Sequence, residues 1–262
     1  ANSIHERKMA QALSQAIPRI SISLSSVISP QMRELPRFNS VIVNAYVQPK
    51  MVAYLKQLLL KIKDLGIKSQ IFMMHSGGGI ISVETAIEQP IRLLESGPAG
   101  GAIYAAGYAR THAIDKALSF DMGGTTAKIC MINQGMPKSA STFETARSYR
   151  FKKGSGITVS TPVVEMVEIG AGGGSIASID KLGCIQVGPK SAGSEPGPAC
   201  YQNGGKSATV TDANLIIGRL DKDRFAGGSI PLAPDLSALA IEQDVSKSLN
   251  LPIMDAAHGI TE

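Results

Sequence analysis

Residues 120–129 read FDMGGTTAKI. The apolar run 117–120 has the look of a buried strand, and it enters an aspartate, two glycines and two threonines. Hydrophobic character resumes over 129–132, so the stretch reads as two strands joined by a tight turn. A tight turn uses residues that tolerate positive φ, and glycine does so at little steric cost. That accounts for Gly123 and Gly124. It does not call for Asp121 before them or for Thr125 and Thr126 after them. Phosphate binding accounts for all of these residues at once. Bare glycine amides approach phosphoryl oxygens, and threonine hydroxyls and amides add donors. A carboxylate repels phosphate directly, so Asp121 would act by holding a hydrated Mg²⁺ that bridges to it. Lys128 adds positive charge nearby, although a strand position can point it away.

The bulk numbers agree with a folded binding protein. The chain has 262 residues and is 44% hydrophobic, enough for one large domain or two small ones. Charged residues make up 18%, which excludes a disordered tail. The net charge of +5 suits an anionic ligand and suits equally a solvated lysine excess. The basic residues are scattered, with only Arg150, Lys152 and Lys153 clustered, so no nucleic-acid arm is expected. Cys130, Cys184 and Cys200 form no C-x-x-C pair, which argues for a reducing compartment and against a disulfide framework or zinc site. His5, His112 and His258 show no spacing to acids or cysteines that would suggest a metal site. No apolar run reaches the roughly 20 residues of a membrane helix. The first residues, ANSIHERKMA, are polar, so a signal peptide is not expected and a cytoplasmic location is. They lack an initiator methionine, and the chain is expected to be a piece of a longer protein.

Outward from the hairpin, the chain reads as α/β. A helix is expected over 2–16, with Asn2 or Ser3 as N-cap and Glu6 closing a capping box, ended by Pro18. Residues 20–24 alternate with period two, as a half-buried strand does. Residues 28–38, with Pro30 and Pro36, read as a loop. A helix beginning at Pro49 places Met51, Tyr54, Leu55, Leu58, Leu59 and Ile62 at helical spacing, with Gly66 as C-cap. A short buried strand at 70–74 runs into His75 and three glycines, a binding loop at a strand end. Residues 98–110 form a small-residue helix with Pro98 in its first turn. A β-rich run at 162–169 ends in the glycine-rich 170–175. Residues 188–205 read as a long constrained loop, followed by a helical stretch from Thr211 and a helix near 236–249. No fixed-period repeat is visible.

The D-x-G-G-T hairpin resembles the phosphate loop of the actin, sugar kinase and heat-shock 70 superfamily. More narrowly, the chain resembles the hydantoinase A / 5-oxoprolinase family, which includes ATP-dependent hydantoinases and subunits of acetone and acetophenone carboxylases. The stretches that carry the resemblance are VNAYVQP (43–49), RLLESGPAGG (92–101), FDMGGTTAK (120–128), EIGAGGGSIA (168–177), VGPKSAGSEPGPACY (187–201) and TVTDANLIIGRLD (209–221). The implied fold is an actin/sugar kinase/heat-shock 70-like (ribonuclease H-like) lobe, a mixed sheet flanked by helices. Two such lobes clamp ATP in that superfamily. The family's other hairpin, D-x-G-G-T-x-T-D, is not in this chain; MHSGGG (74–79) lacks the leading aspartate. The resemblance therefore implies residues 1–39 as a linking segment from a missing region and 40–262 as a hydantoinase A-type nucleotide-binding domain, with the subunit continuing in both directions.

The same resemblance assigns candidate residues. Asp121 is implied as a catalytic group and Mg²⁺ ligand, with Gly123, Gly124, Thr125 and Thr126 on the phosphates. Gly170, Gly172, Gly173 and Gly174 would let backbone pass close to the nucleotide; the plainer reading is a bulge or tight turn. Glu168 would hold metal or orient water, or is a surface charge on an edge strand. SGPAGG (96–101) matches a hinge region, and its small residues read as close packing. His75 would lie on the substrate side, or is structural. Lys190, Ser191, Ser194, Glu195 and Cys200 would face a substrate or partner, although Cys200 in apolar surroundings reads as an inert buried thiol. Asp212 and Asn214 would serve as metal or phosphate-side ligands, in competition with a plain N-cap role for Thr211 or Asp212. The implied function is an ATP- and Mg²⁺-dependent hydrolase subunit that opens a cyclic amide of the hydantoin, N-methylhydantoin or 5-oxoproline type. The implied partner is a hydantoinase B-type subunit or domain, within an oligomer. A carboxylase subunit and a non-catalytic nucleotide-binding module are the alternatives. A dinucleotide-binding fingerprint is disfavoured, because it opens a helix after its glycines and a strand follows them here.

Overall fold

The computed structural model describes residues 2–148 and 153–262; Arg150 and Lys152 of the basic cluster lie outside them. The chain divides into two units. The first comprises residues 1–120 and 129–167, the second residues 121–128 and 168–262. The tip of the opening hairpin thus belongs to the second unit, while its strands continue in the first. The expected border at residues 39 and 40 lies inside a helix.

The first unit begins with α1 (Ile4–Ala16), α2 (Ser25–Ile28) and α3 (Glu34–Asp64). Ser3 sits at the N-cap of α1 but makes no side-chain cap bond, and the expected capping box is absent. Glu6 instead accepts from the Ser25 hydroxyl, from the Ser26 amide at 2.9 Å and from Arg37 at 3.0 Å. The expected strand at 20–24 is not one. Its side chains bind α3: Ser23 Oγ donates to Gln48 at 3.2 Å and accepts from Asn44 at 3.0 Å. The expected loop at 28–38 gives way to the first turn of α3, whose 31 residues carry Pro49 in their interior rather than at their start. Buried Asn44 accepts from the Ile91 amide at 3.2 Å, and Ser40 Oγ accepts from the Ser160 amide at 2.9 Å. Helix α3 ends as expected at Gly66 (φ 75°). Gly66 donates to the Lys63 carbonyl and Ile67 to that of Ile62, the paired bonds of a Schellman motif.

The strands β1 (Phe72–Met74) and β2 (Ile80–Ser82) form an antiparallel hairpin around His75 and its glycines. Helix α4 (Val83–Glu88), capped by Ser82, and α5 (Ser96–Thr111) follow. The stripe Ala99, Ala102, Ala106 and Ala109 of α5 is buried against Cys130, Ile132 and Val164. These come from β4 (Ala127–Asn133) and, beyond it, β7; the strands in order are β3 (Lys116–Met122), β4, β5 (Met136–Pro137), β6 (Ser139–Thr145), β7 (Ile157–Val164) and β8 (Val167–Ile169). One sheet has the order β3-β4-β5 with β8 also paired to β4, and β6 pairs with β7 separately.

In the second unit β9 (Ser175–Ile179) and β10 (Ile185–Ser191) form an antiparallel hairpin with a register shift between Val187 and Ser191. The expected loop at 188–205 therefore starts as an irregular strand. Helices α6 (Val210–Ile216), α7 (Pro234–Ile241), α8 (Lys247–Leu249) and α9 (Ile253–Thr261) complete the unit, with a π-helical turn between α7 and α8. Ala177, Ala208, Val210, Ala213, Ile241, Val245, Ala257 and Ile260 form its core. The architecture is mixed α/β, built from several small sheets and helices.

Candidate functional site

The hairpin tip is closed by the Gly123 amide donating to the Thr126 carbonyl at 2.9 Å. Residues 121–125 are exposed and Thr126 is half-buried. Neither Gly123 nor Gly124 adopts positive φ. A Cβ on Gly124 would meet no atom within 4 Å, and one on Gly123 only the Thr126 carbonyl oxygen at 3.6 Å, an ordinary contact. The turn-chemistry explanation of this glycine pair thus fails, and no packing among the described residues replaces it.

The glycines at 172–174 have the opposite explanation. A Cβ on Gly172 would lie 2.6 Å from the Thr125 nitrogen, and one on Gly174 would lie 2.9 Å from the Gly124 oxygen. Gly173 donates to the Gly123 carbonyl at 2.9 Å and Gly174 to the Gly124 carbonyl at 2.7 Å. The Gly172 amide is taken by Ser175 Oγ at 2.8 Å. These three amides are engaged inside the unit. Their glycines let the loop lie against the hairpin tip and brace it.

Asp212 is a structural hub rather than a ligand. It is fully buried, and its carboxylate accepts from the amides of Ala199, Cys200 and Thr209 and from the hydroxyls of Thr209 and Ser237. The N-cap of α6 is Thr209, in a capping box with Asp212, not Thr211 or Asp212. Asn214 accepts from Arg219 at 3.4 Å. Cys200 is fully buried, and burial, then the Asp212 charge, pushes its thiol up to about 12; it is inert at neutral pH.

Of the remaining candidates, Glu168 is exposed on β8, and Lys190, Ser194 and Glu195 are exposed as well. Ser191 Oγ accepts from the Gly193 amide at 3.1 Å. All of these lie in the second unit with the hairpin tip. His75 lies in the first, and its Nδ1 accepts from the Gly77 amide at 3.0 Å. A Cβ on Gly77 or Gly79 would fall 2.8 or 2.7 Å from the imidazole, so both glycines make room for that ring. Burial, then the charge of Arg92, lowers the His75 pKa and keeps the ring neutral at pH 7. Among the described residues no three His, Cys, Asp or Glu side chains converge, and no helix is long and apolar enough to cross a membrane.

A mixed α/β chain with an acidic, glycine-bearing hairpin braced by a second glycine loop is the class of protein defined so far. The hydantoinase/oxoprolinase family profile matches residues 37–262, and the chain belongs to that family. It is 37% identical over 262 residues to an uncharacterized protein of Methanocaldococcus jannaschii, covering 99% of this chain and 38% of the relative. It is 33% identical to the caprolactamase alpha subunit of Pseudomonas jessenii, covering 99% of this chain and 36% of the subunit. A solved nucleotide-free acetone carboxylase, described as carrying out ATP-dependent acetone carboxylation, superposes with a TM-score of 0.79 at 27% identity, over 99% of this chain and 36% of that one. The chain thus spans a little over a third of the length of the relatives it matches.

Proposed function

We propose that this chain carries one phosphate-binding hairpin of an ATP-dependent subunit that opens a small cyclic amide. The observation that carries the reading is the exposed Gly123-Gly124 pair, which neither backbone strain nor packing among the described residues requires. Glycine without an internal reason is what a close-approaching ligand demands, and Asp121, Thr125 and Thr126 supply the chemistry expected beside phosphate. The lobe would be of the actin/sugar kinase/heat-shock 70 type, with residues 40–262 forming the hydantoinase A-type nucleotide-binding domain.

The residues fit Mg-ATP. Mg²⁺ is commonly held by one or two carboxylates while phosphate oxygens and water complete its shell. Asp121, exposed at the tip, is the carboxylate for that task. ATP supplies the phosphoryl group that activates the substrate's amide oxygen. Thr125 and Thr126 position the phosphates and neutralise their charge. Glu168, exposed in the same unit, orients the attacking water. Ser191 and Glu195 are assigned to the substrate side, with His75 as a further candidate. The brace at 172–174 holds the hairpin shape. A hydantoinase B-type subunit or domain completes the enzyme, within an oligomer. The three free thiols, Cys184 exposed, suit the cytoplasm.

The amide branch is preferred because the chain is 33% identical to a caprolactamase subunit. The carboxylase branch is the second reading, favoured by the superposition on acetone carboxylase. The test is calorimetric titration of the intact protein with Mg-ATP, beside Asp121→Ala. Binding that weakens about tenfold or more in the variant supports the hairpin as a phosphate site. Equal affinity in both proteins refutes it. Substrate-dependent phosphate release with caprolactam, hydantoin or 5-oxoproline, against acetone with bicarbonate, then separates the two branches.

A further inference from the structure

We propose that Thr211 is a positioning residue for the 121–126 hairpin, acting through the 172–174 loop. The proposal rests on the nucleotide reading above. The Thr211 amide and its hydroxyl both donate to the Gly173 carbonyl, at 2.8 and 2.9 Å. That carbonyl and the Gly174 N–H are the two ends of one planar peptide group. The Gly174 N–H in turn donates to the Gly124 carbonyl at 2.7 Å. Thr211 therefore fixes the plane of the peptide whose far side grips the hairpin glycine.

The plane needs fixing because it lies between two glycines. No Cβ on either side restricts its rotation. A flipped peptide would release Gly124 and turn a carbonyl toward it. Two donors on the Gly173 carbonyl oppose the flip, and they polarise the amide so that its N–H binds more strongly. The anchor itself is rigid. Thr211 is buried at the start of α6, and its neighbour Asp212 ties that helix turn to Ala199, Cys200 and Ser237. Valine would fill the same volume and keep the amide donor, but would lose the hydroxyl.

The experiment compares Thr211→Val and Thr211→Ser in the intact protein, by Mg-ATP calorimetry and by hydrogen exchange of the Gly173 and Gly174 amides without ligand. Thr211→Val is expected to bind Mg-ATP about fivefold more weakly, the worth of one hydrogen bond, and to exchange faster at Gly174. Thr211→Ser, which keeps the hydroxyl, is expected to restore both. Native behaviour of Thr211→Val in both measurements overturns the proposal, as does a serine variant that matches the valine one. A native protein that takes up no Mg-ATP overturns the nucleotide reading; the exchange rates then still decide whether Thr211 holds the loop. Should Thr211→Val not fold, Gly173→Ala, whose Cβ would lie 2.8 Å from Thr211 Oγ1, displaces the hydroxyl and replaces it in both measurements.

Discussion

Alanine at Gly124 and alanine at Gly172 should have opposite consequences. At Gly124 the backbone is not left-handed and a Cβ finds open space, so the folded state accepts the methyl freely. Loss of glycine entropy in the unfolded chain then stabilises the protein by up to about 0.4–1 kcal/mol. At Gly172 the Cβ would sit 2.6 Å from the Thr125 nitrogen and 2.7 Å from the Gly124 carbonyl carbon. Ordinary contacts lie near 3.5–4.0 Å, and both obstacles are backbone, so the loops must part by roughly an ångström. The strain, with loss of the Gly173–Gly123 and Gly174–Gly124 bonds, amounts to about 3–5 kcal/mol. Urea unfolding followed by hydrogen exchange at residues 172–175 measures this locally, which matters in a chain of two units. Binding should show the reverse order of directness. Gly124→Ala, stable and folded, is expected to lose Mg-ATP affinity by about tenfold or more, because its methyl would occupy the approach that the proposed function assigns to phosphate. Unchanged affinity in Gly124→Ala would refute the claim that a ligand accounts for that glycine. Native stability in Gly172→Ala would refute the bracing role of the second loop.

Three further outcomes follow from the hydrogen-bonded carboxylates and the thiols. Asp212→Asn leaves one acceptor oxygen for five donors and should cost about 3 kcal/mol in urea unfolding; a loss under about 1 kcal/mol would contradict the hub. Iodoacetamide at pH 8 should label Cys184 alone, since Cys130 and Cys200 are buried and burial raises both thiols; modification of Cys200 in the folded protein would contradict the core. Glu6 is held at about 2 by the Ser25 hydroxyl first, with Ser26 and Arg37 adding to it. Its folded value lies below the ordinary 4.5, so its stabilisation is present above pH 4.5 and is lost as pH falls toward 2. Protection of the Ser26 amide should decline over that window in the native protein and stay flat in Glu6→Gln.

The part of the fold hidden from the sequence is the first half of α3, and its side chains explain why. Its buried positions include Ser40 and Asn44, which are polar and spend their side chains on Ser160 and Ile91. Its outward positions include Leu35, Ile42 and Tyr46, which are 71%, 61% and 86% exposed. Helical periodicity assumes apolar residues inward, and here the signal is inverted. Pro49 then mimicked a helix start, since its fixed φ suits the first turn as well as this interior position. The alternation at 20–24 misled for a related reason. Period two shows which side chains face a neighbour, but not whether that neighbour is a strand or, as here, a helix offering Asn44 and Gln48.

At the candidate site, residue types were legible and their partners were not. Asp121 and the glycines after it stood out because no turn needs an acid and two threonines beside its glycines. The 170–175 loop stood out as glycine-rich, yet glycine content alone cannot say whether a ligand or another segment of chain comes close. The separation between Gly172 and Thr125 in sequence conceals the contact that answers the question. The same applies to Thr211, 38 positions from the carbonyl that it holds. In the sequence it was a rival candidate for the α6 N-cap, a task performed by Thr209 with Asp212. Freed from capping, its hydroxyl is available for the Gly173–Gly174 peptide, which two glycines leave free to turn. A helix start that caps itself with one threonine and braces a neighbouring loop with the next makes the order T-V-T-D intelligible residue by residue.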